Sequence, residues 1–502
     1  MMKTLQADLL VIGGGINGSG IAADAAGRGL KVILCEADDL ASGTSSWSSK
    51  LIHGGLRYLE QYEFKLVREA LKERQILLNK LPHLVHPLLF VLPHDKHLRP
   101  TWMIRLGLFL YDTLGGRQTL QKSKQVDLQS GVYGAPLKKT VKTGFVYSDC
   151  RVDDARLVVL NALTVVEKGG HVLTRTPCIA TKRCDTLWQA TLKPSNGEEP
   201  FIIEAKAIVN AGGPWVSEIL HDIIDTPSKA AVNLVKGSHF VVPKLYDGDH
   251  AYILQNTDKR IIFTIPYYFE GRHDNKFTLI GTTDLEYTGD LRHINISDEE
   301  TDYLCDIVNH YFEKQTSKQD IIWSYAGVRP LFDDSADNPS KVTREYHLEL
   351  EDWQGKTPLL SVFGGKITTF RTLSEHALLK LQPYFPAMKK PWTATAKMPG
   401  GDIDSFDSFY QKLRSDYPFL SEKHAYRLAG SYGSLVLTFL KGCKSLQDLG
   451  KYFGADLYEK EIQYLIQHEW ARTTEDIIWR RSKLGLILSV DEINRIEAYL
   501  KK

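Results

Sequence analysis

The sequence has little that would indicate a membrane-spanning, secreted or nucleic-acid-binding protein. Its 62 lysines and arginines almost balance its 61 aspartates and glutamates. The formal net charge of +1 therefore gives nucleic acid no electrostatic attraction to the chain as a whole. No run of eighteen apolar residues occurs, so we expect no transmembrane helix and at most peripheral membrane contact. The apolar stretch near residue 9 is bracketed by Asp8 and Asp24, which favours a strand over a signal peptide.

Cysteine is also scarce. The six cysteines are scattered, with no CxxC pair and no spacing typical of metal ligands. We therefore expect reduced thiols, a cytoplasmic protein and no bound metal. The rest of the composition is ordinary for soluble domains, since 43% of the residues are hydrophobic and 25% are charged. A length of 502 residues predicts two or three domains.

The first forty residues have the pattern of a dinucleotide-binding unit. Residues 7–12 (ADLLVI) predict a buried strand, and the GxGxxG glycines Gly13, Gly15 and Gly18 follow at once, at the start of a helical pattern. A second predicted strand ends just before Glu36. Glycines let backbone approach a pyrophosphate, the helix N-terminus offers N–H groups, and the acid can accept from a ribose. A structural glycine-rich turn is the alternative. Glu36 disfavours a 2′-phosphate, which leaves FAD or NAD.

Two later segments favour FAD. Residues 207–213 (AIVNAGG) predict a strand that ends in small residues, where backbone passes close to a large group. Residues 359–363 predict another buried strand, followed by Gly364, Gly365, Lys366 and a helix start. A helix N-terminus and a lysine would stabilise negative charge on a reduced flavin. A strand–helix turn with a solvated lysine is the alternative for this segment.

A set of longer motifs distinguishes the chain from other dinucleotide-binding proteins. They are GGGINGSGIAADAAGRG (13–29), TSSWSSKLIHGGLRY (44–58), YSDCRVDDARL (147–157), NAGGPWV (210–216), KGSHFVVP (236–243), IGTTD (280–284), YAGVRPL (325–331) and FGGKITTFR (363–371). In this combination, and almost end to end, the sequence resembles the aerobic, FAD-dependent glycerol-3-phosphate dehydrogenase family of the D-amino-acid-oxidase-like flavoproteins. The segment SSKLIHGGLRY is far more specific than the GxGxxG motif.

The resemblance implies an α/β fold, α+β overall, in three parts. We expect a discontinuous Rossmann-like FAD-binding domain (1–90, 145–220 and 325–390), a β-rich substrate or cap domain (91–144 and 221–324) and a helical C-terminal domain (391–502). Alternation of β-branched and aromatic residues in 251–265 and 277–281 predicts antiparallel strands. Ser489 and Glu492 predict a capping box. Residues 101–114 form an apolar helical pattern. The predicted helix is either buried against the FAD domain or lies in a membrane interface.

The implied reaction is oxidation of sn-glycerol 3-phosphate to dihydroxyacetone phosphate, with FAD as hydride acceptor and membrane quinone as final acceptor. This implies peripheral attachment to the cytoplasmic face of the inner membrane. Related oxidases reduce oxygen instead and carry an extra insertion, and the absence of such a segment here favours the dehydrogenase. An amino-acid or sarcosine-type oxidase and a non-catalytic FAD-binding protein are further alternatives. The quinone and a homodimer are left open.

Such a substrate requires cations for its phosphate and a base for its hydroxyl proton. The arginine candidates are Arg57, Arg329 and Arg344, each with a surface ion pair as the alternative. Arg329 precedes Pro330 in what we interpret as a glycine-containing turn. The candidate bases are His53 and His239, with a buried structural histidine as the alternative for each, and His239 is slightly favoured. Tyr58 and Thr369 are candidates for holding the substrate hydroxyls.

The cofactor contacts are expected within the motifs that match the family. The expected residues are Gly13, Gly14, Gly15, Asn17, Gly18, Glu36, Thr44, Ser45, Ser46, Ser49, Lys50, Leu51, Ala211, Gly212, Trp215, Gly364, Gly365, Lys366, Ile367 and Thr368.

Overall fold

The computed structural model describes residues 3–94, 99–226, 228, 230–256, 258, 260–271, 273–332 and 345–501. Its strands are β1 Thr4–Ile12, β2 Val32–Cys35, β3 Leu51–Ile52, β4 His86–His94, β5 Lys124–Asp127, β6 Thr143–Arg151, β7 His171–Leu173, β8 Cys178–Arg183, β9 Trp188–Leu192, β10 Phe201–Asn210, β11 Val232–Pro243, β12 Ala251–Gln255, β13 Ile261–Phe269, β14 Asn275–Gly281, β15 Leu285–Glu286, β16 Trp323–Phe332, β17 Tyr346–Trp353, β18 Lys356–Gly364, β19 Tyr452–Gly454 and β20 Leu457–Tyr458. Its α-helices are α1 Ile16–Gly27, α2 Phe64–Lys80, α3 Thr101–Leu114, α4 Gly131–Gly134, α5 Asp154–Glu167, α6 Val216–Glu218, α7 Asp298–Tyr311, α8 Phe370–Leu381, α9 Phe406–Asp416, α10 Glu422–Tyr432, α11 Val436–Leu440, α12 Glu459–His468 and α13 Val490–Leu500.

The first sheet is the parallel sheet that the N-terminal pattern predicts. Its order is β17-β18-β10-β1-β2-β7, and β9 and β8 extend it from β10. Strands β18, β10, β1, β2 and β7 run parallel. Helices α1, α5 and α8 pack together on one face, which explains why β1 is a continuous apolar run. The carboxyl ends of β1, β10 and β18 therefore lie side by side, at the edge where open parallel sheets bind ligands.

The second sheet is mainly antiparallel and lies over that edge. Its order is β15-β11-β14-β13-β12-β4-β6-β3, with β16 paired to β11 and β5 paired to β6. The predicted hairpin at 251–265 is present as β12 and β13, which pair antiparallel. The α/β fold, with a β-rich second unit and a helical C-terminal part, is confirmed.

The membership of the two sheets differs from the expected domain division. The expected boundaries near residues 90, 145 and 325 fall inside β4, β6 and β16, and the structure places all three strands in the second sheet. A short apolar run predicts a buried strand but carries no information on which sheet the strand joins. The boundaries therefore remain an approximate division of the chain.

The C-terminal region is built from helices α9 to α13 around its own apolar core. One of these helices, α12, spans Glu459–His468. The predicted capping box is also present, because the Ser489 side chain accepts from Glu492 N–H and the Glu492 side chain accepts from Ser489 N–H. These contacts satisfy N–H groups that would otherwise lack partners at the start of α13.

Helix α3 has the predicted bounds but is buried on one face only. Leu108 and Tyr111 are buried, whereas Trp102, Leu106 and Phe109 are 64%, 51% and 62% exposed. Complete burial against the FAD domain, one of the two interpretations of this helix, is therefore wrong. Within the described ranges, no helix is both long enough and apolar enough to cross a bilayer.

Candidate active site

The glycines after β1 lead the chain through a tight turn into α1. Gly13 has a φ of +110°, and a Cβ added to it would lie 2.5 Å from the Ala211 carbonyl oxygen. A Cβ on Gly18 would overlap the carbonyl oxygen of Gly13. Gly15 at the N-cap of α1 has no side chain, the first turn holds no acidic residue, and Ser45 Oγ accepts from the N–H of Ile16 at 2.9 Å. The other N–H groups of this turn and its partial positive charge are available to an anion.

Glu36 lies beside this turn, directly after β2. Its carboxylate accepts hydrogen bonds from Gly14 N–H at 2.6 Å and from Asp38 N–H at 2.9 Å. Burial raises the pKa of Glu36 above its ordinary value, and the two backbone hydrogen bonds act in the opposite direction. The backbone thus fixes a carboxylate that still has lone pairs for a ribose hydroxyl.

A cavity of about 810 Å³ lies between the first sheet and the second. The expected site residues that line it are Gly13, Gly15, Asn17, Glu36, Thr44, Ser45, Ser49, Leu51, His53, Tyr58, Ala211, Gly212, Trp215, His239, Arg329, Gly364, Gly365, Lys366, Ile367 and Thr368. The expected residues that lie outside its lining are Gly14, Gly18, Ser46, Lys50, Arg57 and Thr369. Arg344 lies outside the described residues.

Lys50 is held away from the cavity by a carboxylate. Its ammonium lies 3.0 Å from both Asp154 oxygens and donates to the Ser46 carbonyl oxygen at 2.7 Å. Both side chains of the ion pair are buried. A buried cation requires such a partner. The Lys50 side chain therefore supports the loop that carries Ser49 and does not line the cavity.

Arg329 lies within strand β16, not in the glycine-containing turn expected from its sequence. Gly327 is extended within this strand, and a Cβ added to it would lie 2.5 Å from Cβ of Trp47. The glycine thus permits close packing and not a change of chain direction. Arg329 donates to the Thr283 carbonyl oxygen at 2.8 Å and pairs with Asp284 at 2.7 Å. Its side chain remains 29% exposed and lines the cavity.

Two histidines, the buried His239 and the half-buried His53, line the same cavity. His239 Nε2 lies 2.9 Å from Ser49 Oγ, and the imidazole stacks on the Tyr325 ring with centroids 4.8 Å apart. Burial holds the pKa of His239 well below its ordinary value, and the positive charges of Lys50 and Arg329 lower it further. Burial also lowers the pKa of His53. Both imidazoles are therefore neutral near pH 7 and able to accept a proton.

Lys366 follows β18 and precedes the 3₁₀ turn that leads into α8. Its ammonium lies 3.7 Å from the centre of the Tyr58 ring, so two candidate residues meet at the cavity wall. A cation held over an aromatic face is partly desolvated and directed. The arrangement fits the flavin-facing lysine expected from the sequence better than a solvated lysine.

The shape and polarity of the cavity fit FAD. Backbone without Cβ atoms lines one end at Gly13, Gly15 and Gly212, next to the N-terminus of α1. Asn17 donates to the Gly364 carbonyl oxygen at 3.1 Å, while its own Oδ1 is buried without a partner among the described residues. A buried acceptor of this kind indicates a missing donor.

A family model described as FAD dependent oxidoreductase matches residues 8–369. The chain belongs to this family. A second model, described as C-terminal domain of alpha-glycerophosphate oxidase, matches residues 392–499 of this FAD-dependent oxidoreductase.

Two relatives match this oxidoreductase almost end to end. It is 54% identical to glycerol-3-phosphate dehydrogenase of Pseudomonas aeruginosa, over 98% of this chain and 95% of that protein. It is 48% identical to D-erythritol 1-phosphate dehydrogenase of Brucella abortus, over 98% of this chain and 97% of that protein. The solved structure of glycerol-3-phosphate dehydrogenase from Bacillus halodurans complexed with FAD superposes with a TM-score of 0.74 at 25% identity, covering 99% of this chain and 94% of that chain.

Several residues that line the cavity of this FAD-dependent oxidoreductase were not predicted from its sequence. They include Trp47, Ser48, Gly237, Thr282 and Arg292. Trp47 and Ser48 lie inside the 44–58 motif, so their position in this motif is the sequence feature that could have predicted them. Arg292 lies in a loop without a motif, and only the fold brings it to the cavity.

Proposed function

We propose that the chain oxidises sn-glycerol 3-phosphate to dihydroxyacetone phosphate and passes the electrons to a membrane quinone. One observation carries the proposal: a neutral histidine and an arginine of two paired strands line one cavity with the glycines of a dinucleotide site. Strands β11 and β16 pair antiparallel, and this pairing sets His239 opposite Tyr325 and Val235 opposite Arg329. The relative named glycerol-3-phosphate dehydrogenase, at 54% identity, supports this substrate.

Each residue has a task that its surroundings suit. Arg329 binds the phosphate, since a guanidinium can offer two parallel N–H groups to two oxygens. His239 accepts the proton of the secondary hydroxyl. Lys366 supplies positive charge at the cavity wall, next to the backbone N–H groups at the start of the 3₁₀ turn. FAD, when bound, supplies the acceptor for the hydride that leaves the same carbon.

Anaerobic titration tests the substrate. Purified protein should be yellow with FAD, and glycerol 3-phosphate should bleach its absorbance, whereas lactate and D-alanine should leave it unchanged. D-Erythritol 1-phosphate belongs in the same series because of the Brucella relative. A colourless protein that binds NAD tightly would contradict the cofactor, and faster bleaching by D-alanine would favour an amino-acid oxidase.

The acceptor is tested separately. After reduction by the substrate, the enzyme should be reoxidised faster by a soluble quinone analogue than by dissolved oxygen. The name of the Pseudomonas relative and the absence of the oxidase insertion support this expectation. Hydrogen peroxide formed in air as fast as quinone is reduced would instead indicate an oxidase, as the description of the matched C-terminal model names one.

The exposed face of α3 supports peripheral attachment to anionic lipid. Trp102, Leu106 and Phe109 are its exposed apolar residues. Arg105, on the same helix, is also exposed. Aromatic side chains at headgroup depth, with cations beside them, are typical of helices that lie in a membrane interface. Quinone reduction requires such access to the bilayer.

Replacing both Trp102 and Phe109 by serine should weaken binding to phosphatidylglycerol-containing vesicles at least tenfold. Full burial of one large apolar side chain contributes about 1.5–3 kcal/mol to the binding free energy, so even partial burial of the two side chains accounts for this loss. Co-sedimentation with vesicles measures the effect. Leu379, 62% exposed on α8, gives the matched control, and Leu379→Ser should bind as the wild type does. Equal binding by both variants would place the contact elsewhere.

A further inference from the structure

A short stretch of the C-terminal region contacts the cofactor site through one buried carboxylate. We call residues 469–483 the docking segment and residues 36–46, which connect β2 to the 3₁₀ turn at Thr44–Ser46, the cofactor loop. Arg481 donates to both oxygens of Asp39, at 2.6 and 2.8 Å. Arg480 donates to the same carboxylate at 2.7 Å. Asp39 and Arg481 are fully buried.

Asp39 lies at the middle of the cofactor loop. On one side is Glu36, and on the other are Thr44 and Ser45, which line the cavity. Ser45 Oγ accepts from the N–H of Ile16, in the first turn of α1, at 2.9 Å. The loop therefore surrounds the glycine turn that forms the phosphate end of the site.

The rest of the loop is held by hydrogen bonds that mostly involve its backbone, including those from Arg175 N–H to the Asp38 carbonyl oxygen at 2.7 Å and from Trp47 Nε1–H to the Ser42 carbonyl oxygen at 3.3 Å. Ala41 N–H donates to the Gly14 carbonyl oxygen at 3.1 Å, and Thr44 Oγ1 donates to the Val328 carbonyl oxygen at 2.6 Å. No β-strand ladder fixes residues 36–43, because the described structure has no strand there. The strong, charged and directional anchor in the middle of the loop is thus the contact with the docking segment.

The docking segment is itself fixed. Arg481 also donates to the Glu469 carbonyl oxygen at 2.6 and 3.1 Å, and Arg480 donates to Asp476 at 2.5 Å. Asp476 in turn accepts from Arg175, whose N–H donates to the Asp38 carbonyl oxygen at 2.7 Å. The cofactor loop is therefore tied to the C-terminal region through both its Asp39 side chain and its backbone.

We propose that Arg481, assisted by Arg480, is a positioning residue for the FAD site, so that the C-terminal domain sets the conformation of the cofactor loop. A fully buried ion pair adds little stability over apolar packing of the same volume, but it fixes geometry. Without this ion pair, FAD binding has to order the cofactor loop, and the free-energy cost of that ordering lowers the affinity for FAD. This inference depends on the FAD site and not on the substrate or the acceptor.

The same docking segment offers a matched control. Arg156 of α5 pairs with Glu469, and both side chains are fully buried. Arg156 also donates to the Ser431 carbonyl oxygen at 3.1 Å. This ion pair therefore also docks the C-terminal region, but α5 contributes no residue to the cavity lining. If FAD affinity depends only on docking of the C-terminal region, replacing Arg156 or Arg481 should raise the Kd for FAD equally. If it depends on the position of the cofactor loop, only replacement of Arg481 should raise that Kd.

The experiment compares Arg481→Met, Arg481→Lys and Arg156→Met in the full chain. Flavin fluorescence quenching gives the Kd of the apoprotein for FAD, and thermal unfolding of the apoprotein gives its stability. Both methionine variants should lower the Tm. Arg481→Met should raise the Kd for FAD at least tenfold, whereas Arg156→Met should change it less than twofold.

Arg481→Lys keeps the charge but loses the two-pronged contact, so it should raise the Kd about three- to tenfold and serves where the methionine variant does not fold. A wild-type Kd in the folded Arg481 variants would overturn the proposal. An equal rise in Arg156→Met would also overturn it, because that result assigns the effect to docking of the C-terminal region in general.

Discussion

Replacing Arg329 by alanine is expected to lower kcat/KM for glycerol 3-phosphate by about 10- to 100-fold while FAD stays bound. A charge-assisted hydrogen bond contributes roughly 1.5–3 kcal/mol. The variant also leaves Asp284 without the guanidinium now 2.7 Å away, beside a doubly negative phosphate. Arg329→Lys should recover only part of the loss, since an ammonium cannot bind two oxygens in parallel.

Arg183 provides the control for this variant. It pairs with Glu351 at 2.5 Å and is 20% exposed, which resembles the Arg329–Asp284 pair, but it does not line the cavity. Arg183→Ala should therefore leave kcat/KM unchanged. The measurements are FAD content, the Kd for glycerol 3-phosphate from the flavin spectral shift, and turnover. Full FAD content with wild-type Kd and turnover in Arg329→Ala would remove Arg329 from the site, and loss of FAD would assign it a structural role.

The cofactor half of the site could be predicted because its requirements are local. A glycine with positive φ, a helix N-terminus and an acid after the next strand lie within thirty residues of one another, so the local pattern alone places Gly13 and Glu36 at the ends of their strands. The later segments at Ala211 and Gly364 follow the same logic, since each ends a strand of the same parallel sheet.

The substrate half could be predicted only in part, because it depends on which strands meet in the second sheet. Gly327 and Pro330 are typical of a turn in the sequence, whereas in the structure the glycine allows Trp47 to pack closely against β16. Lys50 lies inside the most specific motif, yet Asp154, one hundred residues on, holds its ammonium away from the cavity. Pairing at such separations leaves no signal in local spacing.

Of the two candidate bases, His239 and His53, we expect replacement of His239 to lower kcat more. Replacing it by glutamine should lower kcat by about 10²- to 10⁴-fold, the usual contribution of a general base, with little change in FAD content. Nε2 is the nitrogen that a proton can reach, because it faces Ser49 Oγ at 2.9 Å and both residues line the cavity. Nδ1 is buried, without a hydrogen-bond partner in the described part of the chain.

His53→Gln is the matched control, because His53 is also neutral and lines the same cavity. It should lower kcat less than tenfold, and the reverse order would transfer the base to His53. The pH dependence gives a second test. Burial, Lys50 and Arg329 place the pKa of His239 below its ordinary value of 6.5. Activity that requires neutral imidazole is therefore full near pH 7 and falls as the pH drops through that lower pKa. This acid limb of kcat should be present in the wild type and in His53→Gln, and absent from the residual activity of His239→Gln.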